Sequence, residues 1–252
     1  MSTHPTPTSA TTATATATAT ADATGTGTGT GTGTTIAEQV RTFDEGFSAQ
    51  IGPELTATFA GEQADLRAAG VPATAVTEGT PLPDARLLDP TGSEVALAGV
   101  LGDSGTVLVF YRGAWCPYCN ITLRTYQQEL LPALRERGVG LVAISPQTPD
   151  GSERAVEGGE LAFTVLSDPG NALVRELGLL TEPSADAQGA HAQLGFDVAD
   201  SNADATREVP YPTVLVVDGV GVVRSVDVHA DYTTRTEVAD VLTAVDALRG
   251  PR

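Results

Sequence analysis

Two cysteines, Cys116 and Cys119, follow a run of apolar residues and open a segment with helical periodicity. The apolar run from Thr106 to Tyr111 is short and bounded by glycines, which is typical of a strand buried on both faces of a sheet. The segment from Cys116 to Arg137 repeats leucine and tyrosine at helical spacing. A CxxC sequence in this context restricts the fold much more than its four residues alone. It predicts an α/β domain with the cysteine pair at the start of a helix.

This placement favours redox chemistry. Pro117 suits the first helical turn, where its missing N–H costs no hydrogen bond. Cys116 then lies at the positive end of the helix dipole, which favours a thiolate. Cys119 follows one turn later on the same side, so that the two sulfurs can form a disulfide. These residues alone predict that Cys116 attacks and that Cys119 resolves.

Other interpretations of the same residues stay open. The CxxC sequence could be half of a zinc site, although no second pair follows and His191 and His229 lack ligand-like spacing. Two inert thiols at the head of a helix are another alternative. Trp115 either shields the adjacent sulfur or simply fills the core, and Arg112 is either a catalytic group or an ordinary surface charge.

The sequence Val209 to Thr213 is a second candidate part of the site, because it leads into an apolar strand. Proline can precede a central strand but cannot lie inside one. A cis bond between Tyr211 and Pro212 would bring main-chain atoms beside the disulfide. An ordinary loop proline is the alternative.

The chain divides into three predicted parts. Residues 1–35 alternate Thr with Ala or Gly and offer little apolar surface, so we expect a disordered tail. Residues 36–80 predict a helical arm and a linker, with a break at Gly52-Pro53. The arm would dock on the following domain or on a second subunit of a homodimer. Residues 81–250 form the predicted domain.

Strand and helix signals alternate within this domain. They predict strands at 138–145 and 163–166, a kink at Pro132, an irregular stretch at 182–208, a hairpin of 213–217 and 222–226, and a final helix at 236–248. The order is that of an α/β fold, the thioredoxin-like three-layer sandwich. We expect a central mixed sheet with helices on both faces, preceded by the helical arm. We expect no cofactor, because the glycines at 99–105 do not match a dinucleotide fingerprint.

Charge and composition exclude several classes of partner. The chain has 14 Arg and no Lys against 32 Asp and Glu, which gives a formal net charge of −18. We therefore expect binding neither to nucleic acid nor to anionic membranes. No apolar run approaches the roughly 20 residues that span a bilayer, and the N-terminus does not resemble a secretory signal. Two cysteines cannot form a disulfide framework. We expect a soluble protein of the reducing cytoplasm.

Several segments resemble, in the right order, the peroxiredoxin-like proteins of the alkyl hydroperoxide reductase/thiol-specific antioxidant superfamily, which have a thioredoxin-like fold. They are FYRGAWCPYCN (Phe110–Asn120), LVAISPQTPD (Leu141–Asp150), LAFTVLSDPGNALVRELGL (Leu161–Leu179) and VHADYTTRTEVADVL (Val228–Leu242). The resemblance extends over about residues 36–248. It implies that Cys116 is the cysteine that attacks peroxide and that Cys119 is its resolving partner. It also implies that thioredoxin or a similar dithiol is the electron donor.

The chain also departs from the pattern of peroxiredoxins proper, Pro-x-x-x-Thr-x-x-Cys. Val109 and Gly113 occupy the Pro and Thr positions before Cys116, so the Thr hydroxyl that helps those proteins to bind peroxide is missing. The candidates for a guanidinium at the site are Arg112, Arg207 and Arg235.

The resemblance favours a thiol peroxidase that reduces hydrogen peroxide or organic hydroperoxides. The missing Thr favours a thiol–disulfide oxidoreductase that acts on protein disulfides. A non-catalytic module whose CxxC sequence senses redox state is a third alternative. We take the peroxidase as the predicted function.

Overall fold

The computed structural model describes residues 33–248. The predicted tail, residues 1–35, lies almost wholly outside the described residues. The predicted boundaries of the arm and the domain stay predictions.

The helical arm is a single kinked helix, α1 (Ile36–Ala69). Thr35 caps its N-terminus by accepting a hydrogen bond from the Glu38 amide, and the Glu38 carboxylate accepts one from the Thr35 amide. The kink lies at Gly52, whose φ of 81° is outside the helical range, immediately before Pro53. The break predicted at Gly52-Pro53 is therefore confirmed, as a kink.

A mixed sheet of seven strands forms the centre of the described structure. The strands are β1 (Arg86–Leu88), β2 (Glu94–Ala96), β3 (Thr106–Phe110), β4 (Gly140–Ser145), β5 (Thr164–Ser167), β8 (Thr213–Val217) and β9 (Val223–Val228), in the spatial order β2-β1-β5-β4-β3-β8-β9. The pairs β3–β4 and β4–β5 are parallel, and the others are antiparallel. Two short strands, β6 (Leu180–Thr181) and β7 (Val209–Pro210), pair separately.

Alternate residues of the central strand β3 face two different cores. Val107 and Val109 belong to one core, which also contains residues of α2 (Pro117–Thr125), α3 (Leu131–Glu136) and α7 (Val238–Ala247). Leu108 and Phe110 belong to the other, which contains residues of α5 (Ala172–Glu176). Two further helices are α4 (Pro149–Gly159) and α6 (Ala185–Gln193). Helices thus cover both faces of the sheet, which confirms the thioredoxin-like three-layer α/β sandwich.

The helix predicted from Cys116 to Arg137 is interrupted as expected. A π-helical turn, Tyr126–Leu130, separates α2 from α3, and Pro132 lies in the first turn of α3. Proline cannot donate to the preceding turn and its ring crowds the carbonyl four residues earlier, so the wider π turn relieves the conflict.

The stretch 182–208, predicted to be irregular, contains α6, so this prediction was wrong. Ser184 caps the helix through the Ala187 amide, and the helix buries two alanines, Ala187 and Ala190, together with His191. Alanine has high helix propensity but produces almost no amphipathic signal, which explains the error. The β1–β2 hairpin was also not predicted. Asp89 stabilises its turn by accepting hydrogen bonds from the Thr91 and Ser93 amides.

The predicted cis bond between Tyr211 and Pro212 is wrong. The bond is trans, and no cis peptide occurs within residues 33–248. The extended strand β7 pairs with β6, and the Tyr211 amide donates to the Leu179 carbonyl at 2.8 Å. The pairing of β7 with β6 therefore places Pro212 immediately before β8, and no cis bond is needed.

None of the helices between residues 33 and 248 combines the length and the apolar composition needed to cross a bilayer.

Candidate active site

The cysteine pair lies where strand β3 passes into helix α2. Cys116 is the N-cap of α2 and has an extended backbone (φ −87°, ψ 113°), and Pro117 is the first helical residue. Cys119 follows in the first helical turn. Each of the two cysteines is only 1% exposed, and neither is in a disulfide. The predicted strand–CxxC–helix arrangement is confirmed.

The turn before the cysteines is held by side chains of later segments. The Ala114 amide donates to Gln147 Oε1 at 2.8 Å, and Asn120 Nδ2 donates to the Ala114 carbonyl at 2.8 Å. Gln147, which follows β4, also donates from Nε2 to the Tyr111 hydroxyl at 3.0 Å. Gln147 was not predicted as part of the site, because nothing local in the sequence connects it with the CxxC turn.

Gly113 occupies the position, three residues before Cys116, at which the sequence pattern predicted that the Thr is missing, and the structure leaves no room there for a side chain. Its φ of 141° disfavours any residue with a Cβ. A Cβ at this position would lie 2.5 Å from Trp115 Nε1 and 3.2 Å from Gln147 Oε1. The Trp115 indole therefore occupies the space that a side chain at position 113 would need.

The pKa values of the two thiols are shifted in opposite directions. Burial and the neighbouring Cys119 raise the pKa of Cys116 well above its usual range, against the charges of Arg112 and Arg235. Burial also opposes ionisation of Cys119, but the Cys116 thiol, the Arg235 charge and the Arg112 main-chain amide together hold the pKa of Cys119 well below its usual range. Arg235 Nη2 donates to Cys119 Sγ at 3.2 Å.

Arg235 comes from the loop between β9 and α7. Its Nη1 donates to the main-chain carbonyls of Tyr232 and Thr234. Of the three arginines that the sequence offered, Arg235 contacts a cysteine, whereas Arg207 pairs with Asp197. The sequence around the CxxC pair could not show which arginine contacts a cysteine, because Arg235 is 116 residues from Cys119 along the chain.

A small cavity of about 10 Å³ adjoins Cys119, close to the minimum volume for one water molecule. Its polar lining includes Thr122, His229 and Arg235, and Pro212 closes one side. Pro212 therefore lies near Cys119, and its bond to Tyr211 is trans. Tyr211 lines a different small cavity together with Arg112 and Tyr232.

Arg112 is buried, with 4% exposure, so it is not the surface charge of the alternative interpretation. Its guanidinium lies 4.9 Å from the Trp115 ring centroid and 4.3 Å from that of Tyr232. Trp115 in turn contacts the rings of His191 and Phe196, at centroid distances of 5.9 and 5.2 Å. Trp115 also packs against the core that contains Cys116. Trp115 thus fills the core, and its role in shielding the sulfur stays a prediction.

The arm α1 is docked on its own domain, where it packs against α2. Tyr118, between the cysteines, donates to Asp44 Oδ1 at 2.7 Å, and its ring meets Phe43 edge-on at 5.5 Å. Arg67 forms a salt bridge with Asp231 at 2.5 Å. The sequence predicted that the arm docks either on the following domain or on a second subunit. In the structure, it docks on the following domain.

A wider groove of about 580 Å³ runs between the first half of α1 and the loop that carries Arg235. Its lining includes Ile36, Val40, Arg41 and Arg235. Arg235 therefore borders both this groove and the small cavity at Cys119. In residues 33–248, no group of three or more His, Cys, Asp or Glu side chains is arranged to hold a metal ion.

Acid sensitivity is expected from His191. Burial and the nearby Arg112 charge lower the pKa of His191 to about 4 from an ordinary 6.5, so the folded protein favours the neutral imidazole. This contribution to stability is present above pH 6.5 and is lost as the pH falls towards 4. Relative to His191→Phe, the wild type should lose at most about 3 kcal/mol of unfolding free energy over this range. Urea unfolding of the two proteins at several pH values measures the difference, and parallel pH curves would contradict the prediction.

Comparisons with known proteins agree with this architecture. The sequence profile of the AhpC/TSA family matches residues 79–226, more than half of the chain. No curated protein sequence matches significantly. Among solved structures, peroxidoxin BcpB from Mycobacterium tuberculosis is similar with a TM-score of 0.53 and 21% identity, over 70% of this chain and 99% of that one.

Two further structures show the same fold. Reduced Prx3 from Vibrio vulnificus in complex with hydrogen peroxide has a TM-score of 0.54 and 21% identity, over 69% of this chain and 97% of that one. A peroxiredoxin-like protein from Aquifex aeolicus has a TM-score of 0.54 and 18% identity, over 69% and 88% of the two chains. The strand–CxxC–helix site, the three-layer sandwich and the match over residues 79–226 together show that this chain is a peroxiredoxin-like member of the AhpC/TSA family.

Proposed function

We propose that this protein is a thiol peroxidase that reduces hydrogen peroxide or organic hydroperoxides through Cys116 and Cys119 and is recycled by thioredoxin or a similar dithiol. The observation that carries the proposal is the guanidinium of Arg235 at 3.2 Å from Cys119 Sγ, in a buried CxxC pair of an AhpC/TSA fold. A fixed cation beside a thiol favours the thiolate and can also stabilise the charge that develops on the oxygens as the O–O bond breaks.

The proposed cycle uses both thiols. One thiolate attacks a peroxide oxygen and becomes a sulfenic acid, while the other oxygen leaves as water or an alcohol. The second thiol condenses with the sulfenic acid, which releases water and forms the disulfide. A dithiol donor then reduces the disulfide by exchange. We also propose a cytoplasmic location, where such donors keep the pair reduced.

Burial of the pair supports a small substrate over a protein disulfide. Each cysteine is only 1% exposed, so the disulfide of another protein cannot contact the two sulfurs in this conformation. The small cavity lined by Cys119 and Arg235 has room for about one oxygen atom of a peroxide. The groove of about 580 Å³ beside Arg235 supports the inclusion of organic hydroperoxides, because it can receive their organic part.

A thiol–disulfide oxidoreductase is the second candidate. Gly113 leaves the site without the Thr hydroxyl, and Pro212 lies beside Cys119. Exchange with a disulfide needs an accessible thiolate and no oxygen site. This candidate therefore requires a change of conformation that exposes one of the two sulfurs.

Both activities can be measured on one preparation. With thioredoxin, its reductase and NADPH, we expect consumption of hydrogen peroxide well above that of a free dithiol, but slower than in peroxiredoxins that have the Thr. We expect little reduction of insulin disulfides. Ready insulin reduction, with peroxide turnover no faster than a free dithiol, would overturn the peroxidase and favour the oxidoreductase.

A further inference from the structure

The guanidinium of Arg112 is a buried cation that no anion contacts directly. It lies over the rings of Trp115 and Tyr232, which carry no charge. No salt bridge between residues 33 and 248 includes Arg112, and its buried Nε has no hydrogen-bond partner in that range. Arginine cannot lose its proton in a protein. Its charge must therefore be compensated by a group that is not in direct contact with it.

Glu62, in the second half of α1, is a buried acid close to this cation. It lines a cavity of about 10 Å³ together with Arg112 and Tyr232. Its Oε1 accepts a hydrogen bond from the Ser184 amide at 2.8 Å, whereas its Oε2 is buried and has no partner among the described residues. Burial and the Glu62 charge raise the pKa of Tyr232, the same ring that Arg112 contacts. The two opposite charges thus share one cavity and one aromatic neighbour.

We propose, on the basis of the thiol chemistry above, that Glu62 is a positioning residue of the redox site, whose carboxylate holds the Arg112 guanidinium in place through one water molecule in this cavity. The volume is close to the minimum for one water. A water there can accept a hydrogen bond from Arg112 Nε and donate one to Glu62 Oε2. Glu62 lies outside residues 79–226, which the AhpC/TSA profile matches, so the arm contributes this charge to the site.

The other titratable groups around the cavity do not replace Glu62. Glu182 also lines it, but this side chain is exposed and its Oε1 accepts a hydrogen bond from Gln188. His191 is near the Arg112 charge, and its pKa of about 4 makes it neutral at pH 7, so it cannot compensate a cation. Glu62 is therefore the buried acid that lines this cavity.

Arg112 connects Glu62 with the two thiols. Burial opposes the ionisation of both cysteines, and Arg112 acts against this effect in two ways. Its charge lowers the pKa of Cys116, and its main-chain amide lowers the pKa of Cys119. Without Glu62, a buried guanidinium has no counter-charge and is more stable if it turns towards solvent. The pair then loses a nearby positive charge, and the pKa of the reactive thiol rises.

The variant Glu62→Gln tests the proposal, because it removes the charge and keeps the size of the side chain. We expect alkylation of the pair by iodoacetamide at pH 7 to slow by about tenfold, and the midpoint of its pH profile to move to higher pH. Glu62→Asp keeps the charge and should retain most of the rate. Asp65→Asn is the matched control, because it removes one charge from an exposed position of the same helix and should change nothing. The melting temperature of each variant shows whether the arm stays docked.

A double variant tests whether Glu62 acts through Arg112. Arg112→Met should raise the alkylation midpoint by itself, and adding Glu62→Gln should have no further effect. An unchanged or faster alkylation in Glu62→Gln would overturn the proposal, as would an equal loss in Asp65→Asn or an undiminished effect of Glu62→Gln beside Arg112→Met. If Arg112→Met does not fold, the comparison of Glu62→Gln with Glu62→Asp still decides.

The failure of this proposal and that of the peroxidase are distinguishable. Alkylation uses no peroxide, so it reports the charge at the thiols whatever they react with. If hydrogen peroxide does not oxidise the wild-type pair faster than a free dithiol, the peroxidase function fails. The alkylation profiles then still show whether Glu62 positions Arg112.

Discussion

Replacing Arg235 with methionine is expected to slow the oxidation of the cysteine pair by hydrogen peroxide by about 10²–10³-fold, the usual effect of removing one preorganised donor from a reaction site. Methionine keeps much of the apolar stem but removes the guanidinium that lies 3.2 Å from Cys119 Sγ. Two contributions should be lost together: the stabilisation of the thiolate and the stabilisation of the departing oxygen.

The pH dependence separates these contributions. Loss of the cation raises the pKa of Cys119, so the midpoint of the pH–rate profile should move to higher pH in Arg235→Met. Raising the pH restores the thiolate and should recover only part of the rate. Stopped-flow measurement of the oxidation, followed through Trp115 fluorescence, gives the profile.

Arg224→Met is the matched control, because Arg224 is half-exposed and pairs with Asp218 at the β8–β9 turn. It should leave the rate and the profile unchanged. Arg235 also binds two carbonyls of its own loop, so the melting temperature of each variant must be measured. A slower rate with an unmoved midpoint would show that Arg235 acts only on the loop or the peroxide. An unchanged rate would remove Arg235 from the site altogether.

Replacing Gly178 with alanine is expected to destabilise the protein by about 2–5 kcal/mol, the sum of left-handed backbone strain and steric overpacking. Gly178 has a φ of 69°, and a Cβ there would lie 2.0 Å from the Thr74 carbonyl oxygen. Thr74 belongs to the linker, which the Val76 amide holds against the Leu177 carbonyl at 2.8 Å. Because the clash is with backbone, no side-chain rotation can relieve it.

Gly195→Ala is the control for this prediction. Gly195 also has a positive φ, of 85°, but a Cβ there would meet nothing within 4 Å. It should cost only the strain, about 1–2 kcal/mol. Urea unfolding followed by circular dichroism gives both values. Equal losses in the two variants would show that the linker does not press on Gly178.

The fold and the position of the cysteine pair could be predicted from the sequence because their signals are local. The apolar run before Cys116, the proline after it and the spacing of the two cysteines all lie between Thr106 and Cys119. The β8–β9 hairpin was predicted for the same reason, since the Asp218 side chain accepts hydrogen bonds from the Val220 and Val222 amides of its own turn.

Helix α6 and the geometry of Pro212 could not be predicted in this way. The apolar pattern of α6 is weak, because its buried residues are mostly alanines that pack under α1. The residue type of Pro212 permits a cis bond, but the pairing of β7 with β6 places it through a trans bond.

By itself, the sequence determined that a CxxC pair opens a helix behind a buried strand, because backbone preference and hydrophobic periodicity act over a few residues. Only the tertiary structure decided which arginine meets which sulfur. Helix α2 presents both cysteines at its positive end, and the loop before α7 brings Arg235 to Cys119, 116 residues away. The physical reason is that the ionisation of a buried thiol depends on the charges within a few ångströms of it, and those charges come from segments that are distant in sequence.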